Sequence, residues 1–133
     1  MSEKKSTLSH RWHQEVWNKG REDAIDEMMH ENVITHGLDD LKGNGMAAFK
    51  EFYRSFREQF PSIQIEVQDV ITEGDLQNCR CLVSVTNDRG EKVQFTGMTI
   101  VRIKDGKIIE GWNNFDFLSM YQQLGFEMVP AKV

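Results

Sequence analysis

The sequence predicts an α+β fold: helices come first, then a long antiparallel sheet that curves around them. Two observations carry this reading. Up to Pro61 the apolar residues recur at helical spacing, and from Ile63 onward the period falls to two, with short turn motifs between the runs. A chain of 133 residues is long enough for one real core, so residues 1–133 read as one domain, with the first few residues outside it.

Leu8, Trp12, Val16 and Trp17 place a helix over Lys5 to Asn18, stopped by Gly20. Arg21 to His30 forms a second, with Ala24, Ile25, Met28 and Met29 on its apolar side. Val33 to His36 is short and β-branched, hence a strand or an extended link. After Gly43-Asn44-Gly45, the residues Met46, Phe49, Phe52, Tyr53, Phe56 and Phe60 mark an aromatic third helix that Pro61 ends.

Ile63, Ile65 and Val67 alternate with polar residues as in a half-buried strand, and the slip at Asp69-Val70 predicts a bulge. Turns at Glu73-Gly74-Asp75, Asn87-Asp88-Arg89-Gly90 and Lys104-Asp105-Gly106 separate Leu76 to Thr86, Glu91 to Lys104 and Lys107 to Phe117, a meander of hairpins. Leu118 to Leu124 is a short closing helix before Gly125. In Leu76 to Thr86, Cys79, Cys81, Val83 and Val85 share one parity while Leu76 and Leu82 share the other. Both faces of the sheet are therefore partly apolar, and a homodimer through the sheet is expected.

Composition narrows the function. The formal charge is -5 with basic residues scattered among acidic ones, which offers no track for a phosphate backbone; nucleic acid is not an expected partner. No run is long enough to span a bilayer and no apolar leader opens the chain, so neither a membrane partner nor export is expected and the protein reads as cytoplasmic. Cys79 and Cys81 stand two apart on one strand face, badly placed to bond each other, and read as reduced, buried thiols. His10 and His13 are three apart on the first helix, but the linear sequence completes no metal site around them. Glycine-rich nucleotide loops and nucleophile elbows are missing.

The last long strand carries the chemistry. Trp112, Asn114 and Asp116 share a parity, opposite to Asn113, Phe115 and Phe117. If the first face meets the helices, a carboxylic acid sits in apolar surroundings that suit proton transfer; if it meets solvent, Asp116 caps the final helix. Arg80 has apolar neighbours and needs either an acidic partner or a ligand. His36 is either a base at a pocket rim or an exposed loop histidine, and Tyr53 has a hydroxyl that wants a partner if buried.

Several separated motifs agree in order and spacing: Phe95-Thr-Gly-Met-Thr99, Ile103-Lys-Asp-Gly-Lys-Ile-Ile-Glu-Gly-Trp112, Phe115-Asp116 and Gln122-Gln-Leu-Gly125, with Trp17-Asn-Lys-Gly20, His36, Phe60-Pro61 and Glu73-Gly-Asp75. Together they resemble the SnoaL-like polyketide cyclases of the nuclear transport factor two superfamily, over nearly the whole chain. The resemblance implies a cone-shaped α+β barrel enclosing a pocket, and a cofactor-independent aldol-type cyclisation or isomerisation of a small, apolar, carbonyl-bearing molecule. Carried over, Asp116 is the general acid and base and His36 its partner. Arg80 orients or stabilises charge, and Trp112, Tyr53, Asn114, Phe56 and Phe95 shape the cavity. One departure stands out: the turn Thr86-Asn-Asp-Arg-Gly90 is short and lacks the Gly-Thr-His stretch of many cyclases. The alternative on the same fold is a noncatalytic module that holds a small ligand or dimerises.

Overall fold

A computed structural model describes residues 4–38, 41 and 43–132. After a single 3-10 turn at Lys4–Ser6, the chain forms α1 (Leu8–Trp12), which runs directly into a π-helical turn (His13–Asn18), then α2 (Asp23–Met28), β1 (Met29–His36), α3 (Met46–Gln59), β2 (Ser62–Glu73), β3 (Leu76–Thr86), β4 (Lys92–Lys104), β5 (Lys107–Phe115) and α4 (Phe117–Gln123). The expectation that the first few residues stand apart falls largely on residues 1–3, outside the described ones.

The five strands make one sheet in the order β1-β5-β4-β3-β2. The meander is antiparallel, and β1 joins its edge parallel to β5. The β4–β5 turn uses Asp105 and Gly106, both at positive φ, as the tight hairpin with right-handed twist requires. In the longer β3–β4 turn, Asn87 Oδ1 accepts from the backbone N–H of Arg89 and Glu91, at 3.1 and 2.9 Å. This local bonding is why a plain five-residue turn suffices there.

Helix and strand assignments from spacing hold, with shifted ends. The second helix stops at Met28 because Met29 pairs with Ile108, so β1 begins four residues earlier than its β-branched core indicates. The first helix widens at His13, where Lys19 N–H bonds Gln14 O at 2.9 Å, one residue beyond α-helical reach. The widened turn buries His13, Val16 and Trp17 together.

The core lies between these helices and the inner sheet face, which presents Ile63, Ile65, Val67, Cys79, Cys81, Val83, Val85, Val93, Phe95 and Ile108. Over it, α3 lays its aromatic face: Trp17 meets Phe49, Phe52, Tyr53 and Phe56 with ring centroids 4.9 to 6.5 Å apart. Each fully buried ring of this kind is worth roughly 1.5–3 kcal/mol in transfer free energy.

Two bulges decide which side chains face inward. Gln68 is extra between the pairs Val67–Cys81 and Asp69–Arg80, one residue before the expected slip. Ile109 is extra between the pairs Ile103–Ile108 and Arg102–Glu110. An unpaired residue reverses the parity of everything beyond it. Ile108 therefore points into the core, and past the bulge Gly111, Asn113 and Phe115 point inward while Trp112 and Asn114 point out.

Candidate functional site

An apolar cavity with a volume of about 90 Å³, counted as the space open to the centre of a water-sized sphere, lies between the helices and the sheet. By the same measure one water needs roughly 10–15 Å³, so there is room for a small organic guest. The aromatic wall comes from α3 and the π turn (Phe49, Phe52, Phe56, Trp17), and the floor from Val83, Phe95, Thr99, Val101 and Ile108. Polar groups are few: Ser9, His13, Thr35, Thr99 and Asn113. Ser9 Oγ and Thr99 Oγ1 are buried, at 2% and 6% residue exposure, and neither has a hydrogen-bond partner among the described residues. A buried hydroxyl without a partner carries a desolvation penalty of about 1–3 kcal/mol.

His13 is the one titratable side chain in the wall among the described residues. Its Nδ1 lies 2.8 Å from Ser9 O; a carbonyl only accepts, so Nδ1 carries the proton and Nε2 is the basic nitrogen. Behind it, Cys79 Sγ lies 4.0 Å from Nδ1 and Cys81 Sγ 3.8 Å from Nε2. The hydrogen bond from the Cys79 thiol pulls the Cys81 pKa down to about 5 with help from His13 and against burial, while that bond and burial push Cys79 up.

The residues predicted from sequence divide between two sides of the sheet. Phe56 and Phe95 line the cavity. Tyr53 is buried in the adjoining core, where its hydroxyl donates to Val16 O at 2.7 Å, a structural bond. The other five lie on the outer face, and for Trp112, Asn114 and Asp116 this is the solvent-facing of the two alternatives, set by the Ile109 bulge, in place of the cavity position that the resemblance implies. Asp116 is exposed and caps α4, accepting from Ser119 N–H at 3.0 Å. It borders an outer recess, about 840 Å³ by the same measure, with Arg80, Gln68, Met98 and Asn114. Arg80 takes the ion-pair alternative, with Nη2 2.6 Å and Nε 2.7 Å from Asp69 Oδ2 and Nη1 donating to Gln68. His36 ends β1 on the outside, 2.7 Å from Glu110 and stacked on Trp112 with centroids 5.5 Å apart.

Sequence reasoning missed the meeting of His13 with both cysteines. Each half was legible, a histidine on the first helix and two thiols on one strand face, but 66 and 68 residues separate the partners and no local period couples them.

No helix is long and apolar enough to cross a membrane. Compared with curated proteins, the chain finds no match. Solved structures similar to it include a candidate polyketide cyclase from Bacillus cereus ATCC 10987, 31% identical over 89% of this chain and 78% of that one, with a TM-score of 0.80. IdmH, a candidate polyketide cyclase from Streptomyces antibioticus, is 21% identical over 90% and 96%, TM-score 0.79. AclR, a candidate hydroxylase from Streptomyces galilaeus, is 22% identical over 94% and 97%, also at 0.79. The chain has the cone-shaped α+β fold of its nuclear transport factor two-like neighbours, and the last two structures add the shared fold alone. The model of the SnoaL-like polyketide cyclases matches residues 7–124, nearly the whole chain, and the chain therefore belongs to the SnoaL-like polyketide cyclase family.

Proposed function

We propose that this protein is a small-molecule enzyme of the cyclase kind that takes an apolar, carbonyl-bearing guest into the cavity and transfers a proton there. The observation that carries the reading is the pair of unpartnered hydroxyls, Ser9 Oγ and Thr99 Oγ1, in an otherwise apolar wall that also holds one imidazole. A guest's carbonyl oxygen accepts from the hydroxyls. Nε2 of His13 removes a proton from the adjacent carbon, the C–H electron pair passes to the oxygen as an enolate, and the hydroxyls stabilise that charge. In an aldol closure the enolate carbon then attacks a second carbonyl, and the imidazolium returns its proton to the new alkoxide. The balance closes without a co-reactant. Asp116, the residue assigned this role by family resemblance, lies on the outer recess and takes no part in this reading.

A second reading has an observation in its favour. With Asp116 outside and Nε2 beside a thiol, the cavity can hold its guest without turning it over. Exchange of the α-hydrogens of acetophenone in D2O, followed by NMR, separates the two. The enzyme reading expects exchange above the buffer rate that falls by about 10²- to 10⁴-fold in His13→Gln. Saturable binding of the ketone with exchange at the buffer rate supports the holding role.

The sheet-mediated homodimer is part of the same proposal. On the outer face Met98 and Ile100 are 50% and 38% exposed, and Ile34 and Trp112 extend the stripe across β1, β5 and β4. A two-fold pairing would cover it with its own copy.

A further inference from the structure

We infer that His13, Cys79 and Cys81 form a three-ligand site for a thiophilic d10 cation of the Zn2+ or Cu+ type, built behind the cavity wall. One nitrogen and two sulfurs, all from fully packed residues, lie within 4.8 Å of one another. A tetrahedral ion with bonds of about 2.3 Å to sulfur and 2.0–2.1 Å to nitrogen needs S–S and S–N separations of roughly 3.5–3.8 Å. Cys81 Sγ to His13 Nε2 is already 3.8 Å. The three ligand atoms lie within 4.8 Å of one another, so side-chain shifts of up to about 1 Å complete the triangle.

The support around the ligands is of the kind a metal site uses. The proton on Nδ1 is donated to Ser9 O at 2.8 Å, which fixes the tautomer and turns Nε2 into the ligand atom. Cys79 and Cys81 project from one face of β3, in register with Thr99 and Gly97 of β4, and both are free thiols at 0% exposure. A disulfide between such neighbours on one strand is strained, so both thiols stay available as ligands. His13 opens the π-helical turn, a local widening that recurs at functional sites. The two orphan hydroxyls flank the triad: Ser9 is one helical turn before His13, and Thr99 is the cross-strand partner of Cys79. Three soft ligands leave a fourth position for a water held by those hydroxyls. Carboxylates are missing from the triad, so Mg2+ and Ca2+ are excluded by ligand chemistry.

The site itself rests on the triad alone. One consequence rests on the proposed function as well: an ion on Nε2 withdraws the base from proton transfer, so metal-loaded protein is a blocked form.

Cobalt(II) reads the site without reference to catalysis. The reduced, chelator-stripped full-length protein is titrated with Co2+. The expected result is thiolate-to-cobalt charge-transfer absorption with tetrahedral d–d bands, saturating at one equivalent, bleached by Zn2+ and weakened at least about tenfold in Cys81→Ser and in His13→Gln. A parallel Cu+ titration against a chromophoric chelator shows which ion binds more tightly. Wild-type protein that develops no charge-transfer band overturns the inference without recourse to any variant. So does a band that survives in Cys81→Ser protein of unchanged circular dichroism. Zn2+ binding that leaves acetophenone exchange untouched upholds the metal site and overturns His13 as the base; loss of exchange on Zn2+ binding supports both.

Discussion

A β-carbon added to Gly97 would collide with Cδ1 of Phe115, its partner across β4 and β5. The Phe115 ring fills the space that a side chain at Gly97 would take, and that ring is part of the cavity wall. Gly97 has an ordinary strand conformation, so sterics rather than φ require it. Gly97→Ala is expected to cost about 1–3 kcal/mol, because the ring must leave its rotamer or the strands must part. Urea denaturation measures this. Ligand affinity should fall in the same variant, and recovery of both in Gly97→Ala combined with Phe115→Leu would show that one contact carries both losses.

Asn18 closes a two-way bridge from the π turn to β2: its Nδ2 donates to Ile65 O at 2.9 Å and its Oδ1 accepts from Ile65 N–H at 2.6 Å. The side-chain amide stands in for a neighbouring strand at the sheet edge. Asn18→Ala strips both bonds and is expected to destabilise by about 1–3 kcal/mol; Asn18→Asp keeps the acceptor, loses the donor, and should fall between. Equal losses in the two variants would mean that the helix contact, not the amide, holds that edge.

Much of the architecture is legible in the sequence, because helical spacing through Phe60, Pro61 as a stop, and the alternation from Ile63 onward are local properties. The turn at Asp105-Gly106 is equally local. What cannot be read is the facing of β5. Its parity depends on a single extra residue, Ile109, and Ile108-Ile109 offers two equivalent apolar candidates for the inward position. Once that residue bulges, the indole, amide and carboxylate row moves to the outer face, and the pocket's polar groups are instead Ser9, His13, Thr35, Thr99 and Asn113, on elements that the sequence keeps far apart. Phe56 and Phe95 were legible because large aromatics on a core face line whatever space remains.

Tyr53 is buried against Trp17, with centroids 4.9 Å apart, and burial raises its pKa. Its hydroxyl is spent on Val16 O. Tyr53→Phe should cost about 1 kcal/mol of stability, the worth of one buried hydrogen bond, and leave guest affinity unchanged. A selective loss of affinity at unchanged stability would return Tyr53 to the binding site.

The outer stripe of Ile34, Trp112, Ile100 and Met98 is expected to lie at a two-fold interface. Sedimentation at micromolar concentration should give twice the chain mass, and Met98→Glu, placing a charge on the stripe, should give monomers with the cavity intact. A monomer in the wild type removes the interface.

Asp116 is the position at which family resemblance and geometry part, so its variants decide between them. As a helix cap, its carboxylate accepts from Ser119 N–H at 3.0 Å, and asparagine can do the same with its amide oxygen. Asp116→Asn should therefore keep stability within about 0.5 kcal/mol, and α-hydrogen exchange within about twofold. Asp116→Ala should lose about 1 kcal/mol through the missing cap while the folded fraction keeps its exchange rate. An acid–base role predicts the reverse pattern: both variants inactive, and Asp116→Asn stable yet silent. Exchange and denaturation measured on the same two variants separate a cap from a catalyst, since only a proton-transferring group is indifferent to whether its replacement still caps the helix.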